Sequence, residues 1–99
     1  MKDLEQQADD FVREDIQSLT AQQDVTRVLR GPDWLHDYIG TVPDRGYESA
    51  ATHLTGAVRA AIGRAGLSVK AYHISASMPK GSSPGDVERL GVTVKKLPK

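Results

Sequence analysis

Apolar residues in the first stretch of the chain recur at helical spacing. Leu4, Ala8, Phe11, Val12, Ile16 and Leu19 fall on one side of a helix over residues 2–19. Asp3, Glu5, Asp9 and Asp10 load its N-terminal half with negative charge, where the helix dipole favours it. Thr20-Ala21-Gln22-Gln23 has the form of a capping box. It predicts a second helix carrying Val25, Val28 and Leu29 and stopping at Gly31-Pro32. One bent helix over residues 2–30 is the alternative. Pro32 to Gly40 reads as a short helical turn with Trp34, Leu35, Tyr38 and Ile39 on one side. Residues 41–46, with Pro43 and Gly46, read as a loop.

The clearest pattern lies in residues 47–65. Tyr47, Ala51, Leu54, Val58, Ala61, Ile62 and Ala65 form a stripe about 100° wide on a helical wheel, and Gly66 closes the element. The period then changes. Residues 67–78 read as a strand, residues 79–86 as a mobile loop rich in proline, glycine and serine, and Val87 to Leu97 as a second strand in which Leu90, Val92 and Val94 alternate. The two strands predict an antiparallel hairpin. A two-stranded ribbon is marginal alone, so the helices must cover one face or a partner chain must extend the sheet. The expected fold is α+β: about three N-terminal helices, the longest over 2–19 and 47–65, packed on a C-terminal antiparallel β-hairpin in one domain, 1–99. Phe11, Ile16, Leu19, Val28, Leu29, Trp34, Leu35, Leu54, Val58, Ile62, Ile74, Val92 and Val94 are the expected core.

Composition narrows the class. The chain has 99 residues, 38% hydrophobic and 26% charged, as in ordinary globular proteins. It has no cysteine, which excludes disulfides, a thiol nucleophile and Cys-based metal sites. No stretch approaches the roughly 20 apolar residues of a membrane span. The acidic, amphipathic start does not resemble a signal peptide. A cytoplasmic protein with no membrane partner is expected. The net charge of zero conceals a split. Residues 1–49 hold five basic and eleven acidic residues, whereas residues 50–99 hold eight basic and two acidic. Such asymmetry points to an acidic partner, to nucleic acid, or to mutual neutralisation of the halves.

No catalytic constellation emerges. His36, His53 and His73 match no zinc spacing, and no nucleophile elbow, Walker or dinucleotide-binding glycine pattern is present. Lys80 to Gly85 shares only glycine and serine content with a phosphate loop. The expectation is no enzyme, no catalytic residue, no metal and no cofactor. Two features instead suit binding. Opposite the apolar stripe of the main helix lie Ser49, Thr52, Gly56, Ala60 and Gly63, and two helical glycines on one side point to close approach by another backbone. In the hairpin, inward Leu90, Val92 and Val94 turn Arg89, Thr93 and Lys95 outward, with His73 and Ser75 beside them and Lys96 following. The candidate partner-binding residues are therefore His73, Arg89, Lys95, Lys96, Gly56, Ala60 and Gly63. They suit a small regulatory protein that binds another protein, as inhibitor, adaptor or accessory factor, and self-associates as a homodimer. A nucleic-acid-binding regulator using the basic hairpin is the alternative.

Overall fold

The computed structural model describes residues 3–31, 34, 35, 37, 46–77 and 89–98, with Gly46 and Tyr47 described in their backbone only. The expected loop 79–86 and most of the 32–45 stretch, His36 included, lie outside these residues.

Helix α1 spans Leu4–Phe11, and the side chain of Asp3 caps it by accepting the Gln6 N–H at 2.8 Å. A π-helical turn, Val12–Ile16, continues it, with the Gln17 N–H donating to the Val12 carbonyl at 2.9 Å. The wider turn leaves both Val12 and Ile16 in the core. The expected helix over 2–19 thus ends early.

The second expected helix is absent. Its place is taken by strand β1, Asp24–Arg30. One of the two capping-box bonds forms, but around a tight turn: the Gln23 side chain accepts the Thr20 N–H, while the Gln23 N–H donates to the Thr20 backbone carbonyl and not to its hydroxyl, each at 3.0 Å. Gln22 at φ 70° reverses the chain there, and a strand follows. Neither a separate helix over 20–30 nor a bent helix over 2–30 survives, and beside the helical residues Trp34, Leu35 and Asp37 two α-helices are fully described.

Helix α2, Gly46–Arg64, matches the expected element closely. Gly66 at φ 80° ends it: the Gly66 N–H donates to Gly63 and the Leu67 N–H to Ile62, both at 3.1 Å, which satisfies the last carbonyls. A 3-10 turn, Val69–Ala71, leads to strand β2, Tyr72–Ser77, and strand β3 is Arg89–Lys96. The expected hairpin pairing is present, with Ile74 opposite Val94. The hairpin, however, is two-thirds of a three-stranded antiparallel sheet in the order β1-β3-β2, with Arg27 opposite Val92.

Helix α1 packs on α2 and β1, and α2 on β2 and β3, all on one side of the sheet. Phe11, Ile16, Leu29, Leu35, Leu54, Val58, Ile62, Leu90, Val92 and Val94 are fully buried there. Leu19 and Ile74 are only half-buried at the margin. Two expected core residues are exposed: Val28 at 51% and Trp34 at 55%. In a helix Val28 and Leu29 share an apolar stripe, whereas in a strand neighbours point to opposite faces, so Leu29 goes in and Val28 goes out. Among the described residues no helix is long and apolar enough to cross a membrane.

Candidate interaction surface

The side of the sheet away from the helices carries Asp24, Thr26, Val28 and Arg30 from β1, Arg89, Gly91, Thr93 and Lys95 from β3, and His73, Ser75 and Ser77 from β2. None of these is a large residue buried by a second layer. The Thr26 and Thr93 hydroxyls hydrogen-bond across the strands at 2.8 Å. With Ser75 opposite Thr93, they form a central rung of hydroxyl side chains. Gly91 sits beneath Thr26 and Ser77, and a Cβ there would meet Thr26 Cγ2 at 3.4 Å.

Of the candidate residues read from sequence, His73, Arg89 and Lys95 do share this open face. Register places His73 beside Lys95 at one end, with Asp24 on the other side of Lys95. Arg89 lies beside Arg30 at the opposite end. Six residues of strand separate the two ends, about 20 Å. Lys96 does not join them. It pairs with Tyr72, and its ammonium lies 5.6 Å from the centre of that ring, on the covered side. Gly56, Ala60 and Gly63 sit together on the outer side of α2, but a Cβ built on Gly56 or Gly63 meets nothing within 4 Å. No described part of this chain makes the close approach that the two glycines suggested.

The charges of the two halves meet at one ion pair among the described residues. Arg64 on α2 donates to Asp9 on α1 through Nε and Nη2, at 3.1 and 2.7 Å. The other ion pairs described are made within the first half. Arg27 is the only cation on the covered side of β1, and its guanidinium reaches Asp15 at 2.6 Å and Glu14 at 3.0 Å. It also lies 5.3 Å from the centre of the Phe11 ring. The π-helical turn carries both acids, so this turn makes an arginine acceptable on the face that meets the core. Arg13 pairs with buried Asp10 three residues before it. Trp34 meets His53 of α2 edge to face, with ring centres 4.8 Å apart.

Among the described residues two shallow clefts lie at the helix margins. The first, about 500 Å³, runs between Asp15, Ser18 and Leu19 and the start of β1. The second, about 330 Å³, lies between Val12 and Ala61 with the Asp9–Arg64 pair across it. Among the described residues no three histidine or acidic side chains converge as a metal-ligand set.

The edges of the sheet differ. Lys96 donates its N–H to the Gln23 carbonyl. With alternation along the ladder, Val25, Arg27 and Leu29 then exchange hydrogen bonds with β3, and Asp24, Thr26, Val28 and Arg30 turn their backbone groups outward. The Gln7 side chain from α1 occupies the outward groups of Arg30: Nε2 donates to its carbonyl and Oε1 accepts its N–H, both at 3.0 Å. The amide acts as one link of a missing strand. No described residue bonds the outward groups of Asp24, Thr26 or Val28. Sequence reasoning missed this edge together with β1. The signal present was three β-branched residues, Val25, Thr26 and Val28, within seven positions.

No known protein family matches the chain, and no curated protein or solved structure matches it.

Proposed function

We propose that this chain is a small non-enzymatic protein that acts by binding another protein, in a regulatory or accessory role, and that it self-associates. One observation carries the reading. Among the described residues the sheet is covered by helices on one side only, which leaves a hydroxyl-rich face on the other side and a stretch of unpaired strand edge on β1. Exposed strand edges and polar, partly apolar faces are surfaces that other polypeptides extend or cover. The acidic outer side of α1, with Asp3 and Glu5, and the cations at the corners of the sheet suit steered docking.

A nucleic-acid reading draws support from Arg30, Arg89, Lys95 and His73 sharing a face with the single acid Asp24. Against it, the cations stand in two groups about 20 Å apart. Among the described residues of that face there is no aromatic ring on which a base would stack.

The test is binding to duplex DNA and single-stranded RNA at physiological salt, alongside affinity capture with and without nuclease. Nuclease-resistant protein partners and no nucleic-acid binding are expected. Neutralising Arg30, Arg89 and Lys95 together should then slow association with the protein partner. Lys96, turned to the other side, should matter little. Micromolar duplex binding would establish the nucleic-acid reading instead, provided that the dependence of log affinity on log salt flattens by roughly 0.9 for each phosphate that these side chains no longer neutralise.

A further inference from the structure

We infer that the β1 edge is a self-pairing site, at which β1 of one copy adds antiparallel to β1 of a second copy with Thr26 opposite Thr26. The inference rests on the protein-binding reading and names its surface and its partner.

The argument starts from the extent of the unpaired edge. It is bounded at both ends. On one side the Thr20–Gln23 turn commits the Gln22 N–H to the Lys96 carbonyl at 2.8 Å. On the other the Gln7 amide occupies Arg30. Between them three residues, Asp24, Thr26 and Val28, turn N–H and C=O outward, and all three are exposed. An odd number of outward residues is centred on one of them. A two-fold axis at Thr26 pairs Asp24 with Val28 of the second copy, Thr26 with Thr26, and Val28 with Asp24. Every free backbone group is then used, in six inter-strand hydrogen bonds, and no group already engaged is needed. Shifting the register by two residues either way drives a free group against Arg30 or the turn. The other edge is less suited, because Ala76, one of its outward residues, is already engaged.

The side chains agree with this register. No like charges come to lie opposite one another. On the open face the rung Ser75–Thr93–Thr26 runs into its own mirror, giving six hydroxyl residues in a row across two sheets. Exposed Val28 gains a strand neighbour. On the covered face Val25 meets Arg27 of the second copy, and the two Arg27 guanidinia, each held by its own Asp15 and Glu14, do not face each other. The result is one six-stranded sheet with isologous symmetry, the commonest arrangement of homodimers.

Sedimentation equilibrium of the purified chain from low to high micromolar concentration tests the inference. The wild type is expected to dimerise. Thr26→Lys, on an exposed position, should keep the fold by circular dichroism, lowering the melting temperature of the dilute chain only by the loss of the Thr26–Thr93 hydrogen bond, and weaken dimerisation by at least about 100-fold, since it sets two cations face to face at the centre of the pairing. Val28→Asp, placed against Asp24 of the second copy, should weaken it too. Val28→Lys should not, and Asp24→Asn added to Val28→Asp should restore it. Ser75→Lys on β2 is the control and should leave the dimer unchanged. A wild type that stays monomeric at high micromolar concentration would overturn the inference, as would equal effects of Val28→Asp and Val28→Lys, or a dimer broken by Ser75→Lys. A monomer that still retains nuclease-resistant protein partners would overturn self-pairing alone and leave the protein-binding reading in place.

Discussion

On the covered face of the sheet Leu29, Leu90, Val92 and Val94 are sealed by two helices, whereas on the open face the same three strands present threonine, serine, glycine and scattered charge. The difference separates two jobs. Burial of apolar area, about 25 cal/mol for each Å², stabilises the fold from one side only. The open side contributes little to stability and is correspondingly free to be chosen for contact with something else. Arg27 marks the boundary. It is a charged residue on the covered side, and it is accommodated because Asp15, Glu14 and the Phe11 ring surround it.

The largest expected effect falls on the covered face. Leu90→Ala removes a fully buried side chain from the central strand of the sheet and should cost about 2–5 kcal/mol in chemical denaturation. A cost below about 1 kcal/mol would mean that the face is not the core. A smaller effect belongs to the edge. Gln7→Ala removes the amide from Arg30 and should cost about 1 kcal/mol. Smaller still, Gly56→Ala should raise stability by just under about 1 kcal/mol, because the added methyl meets open space and glycine is a poor helix former. If it instead breaks association, the outer side of α2 is the contact surface and the β1 edge is not.

How far the sequence revealed this division depends on the region. Helix α2 was legible because its apolar residues hold one stripe for five turns and Gly66 supplies the positive φ that ends it. Strands β2 and β3 were legible because Ile74 and Ala76, and Leu90, Val92 and Val94, keep strict alternation. As a result His73, Arg89 and Lys95 were placed together on the outward face from spacing alone. Strand β1 was not legible. Its covered positions are Val25, Arg27 and Leu29, so the alternation is broken by an arginine whose neutralising acids lie twelve and thirteen residues earlier. Val25, Val28 and Leu29 meanwhile imitate the spacing of a helix, and Thr20 and Gln23 make a capping-box contact that a turn can make as well. The edge groups of β1 are backbone atoms, invisible to any reading of side-chain pattern until the strand itself is recognised. The glycines on α2 misled for a related reason: a wheel shows which residues share a side, and says nothing of what lies over them.

Amide exchange followed residue by residue at low and high protein concentration tests the division most directly. Val25, Arg27 and Leu29, bonded to β3, should be protected at both concentrations. Asp24, Thr26 and Val28 should exchange rapidly when dilute and become protected together as concentration rises, while Tyr72 and Ile74 on the opposite edge stay unchanged. Protection of Asp24, Thr26 and Val28 that does not depend on concentration, or a gain that appears on β2 instead, would contradict the account.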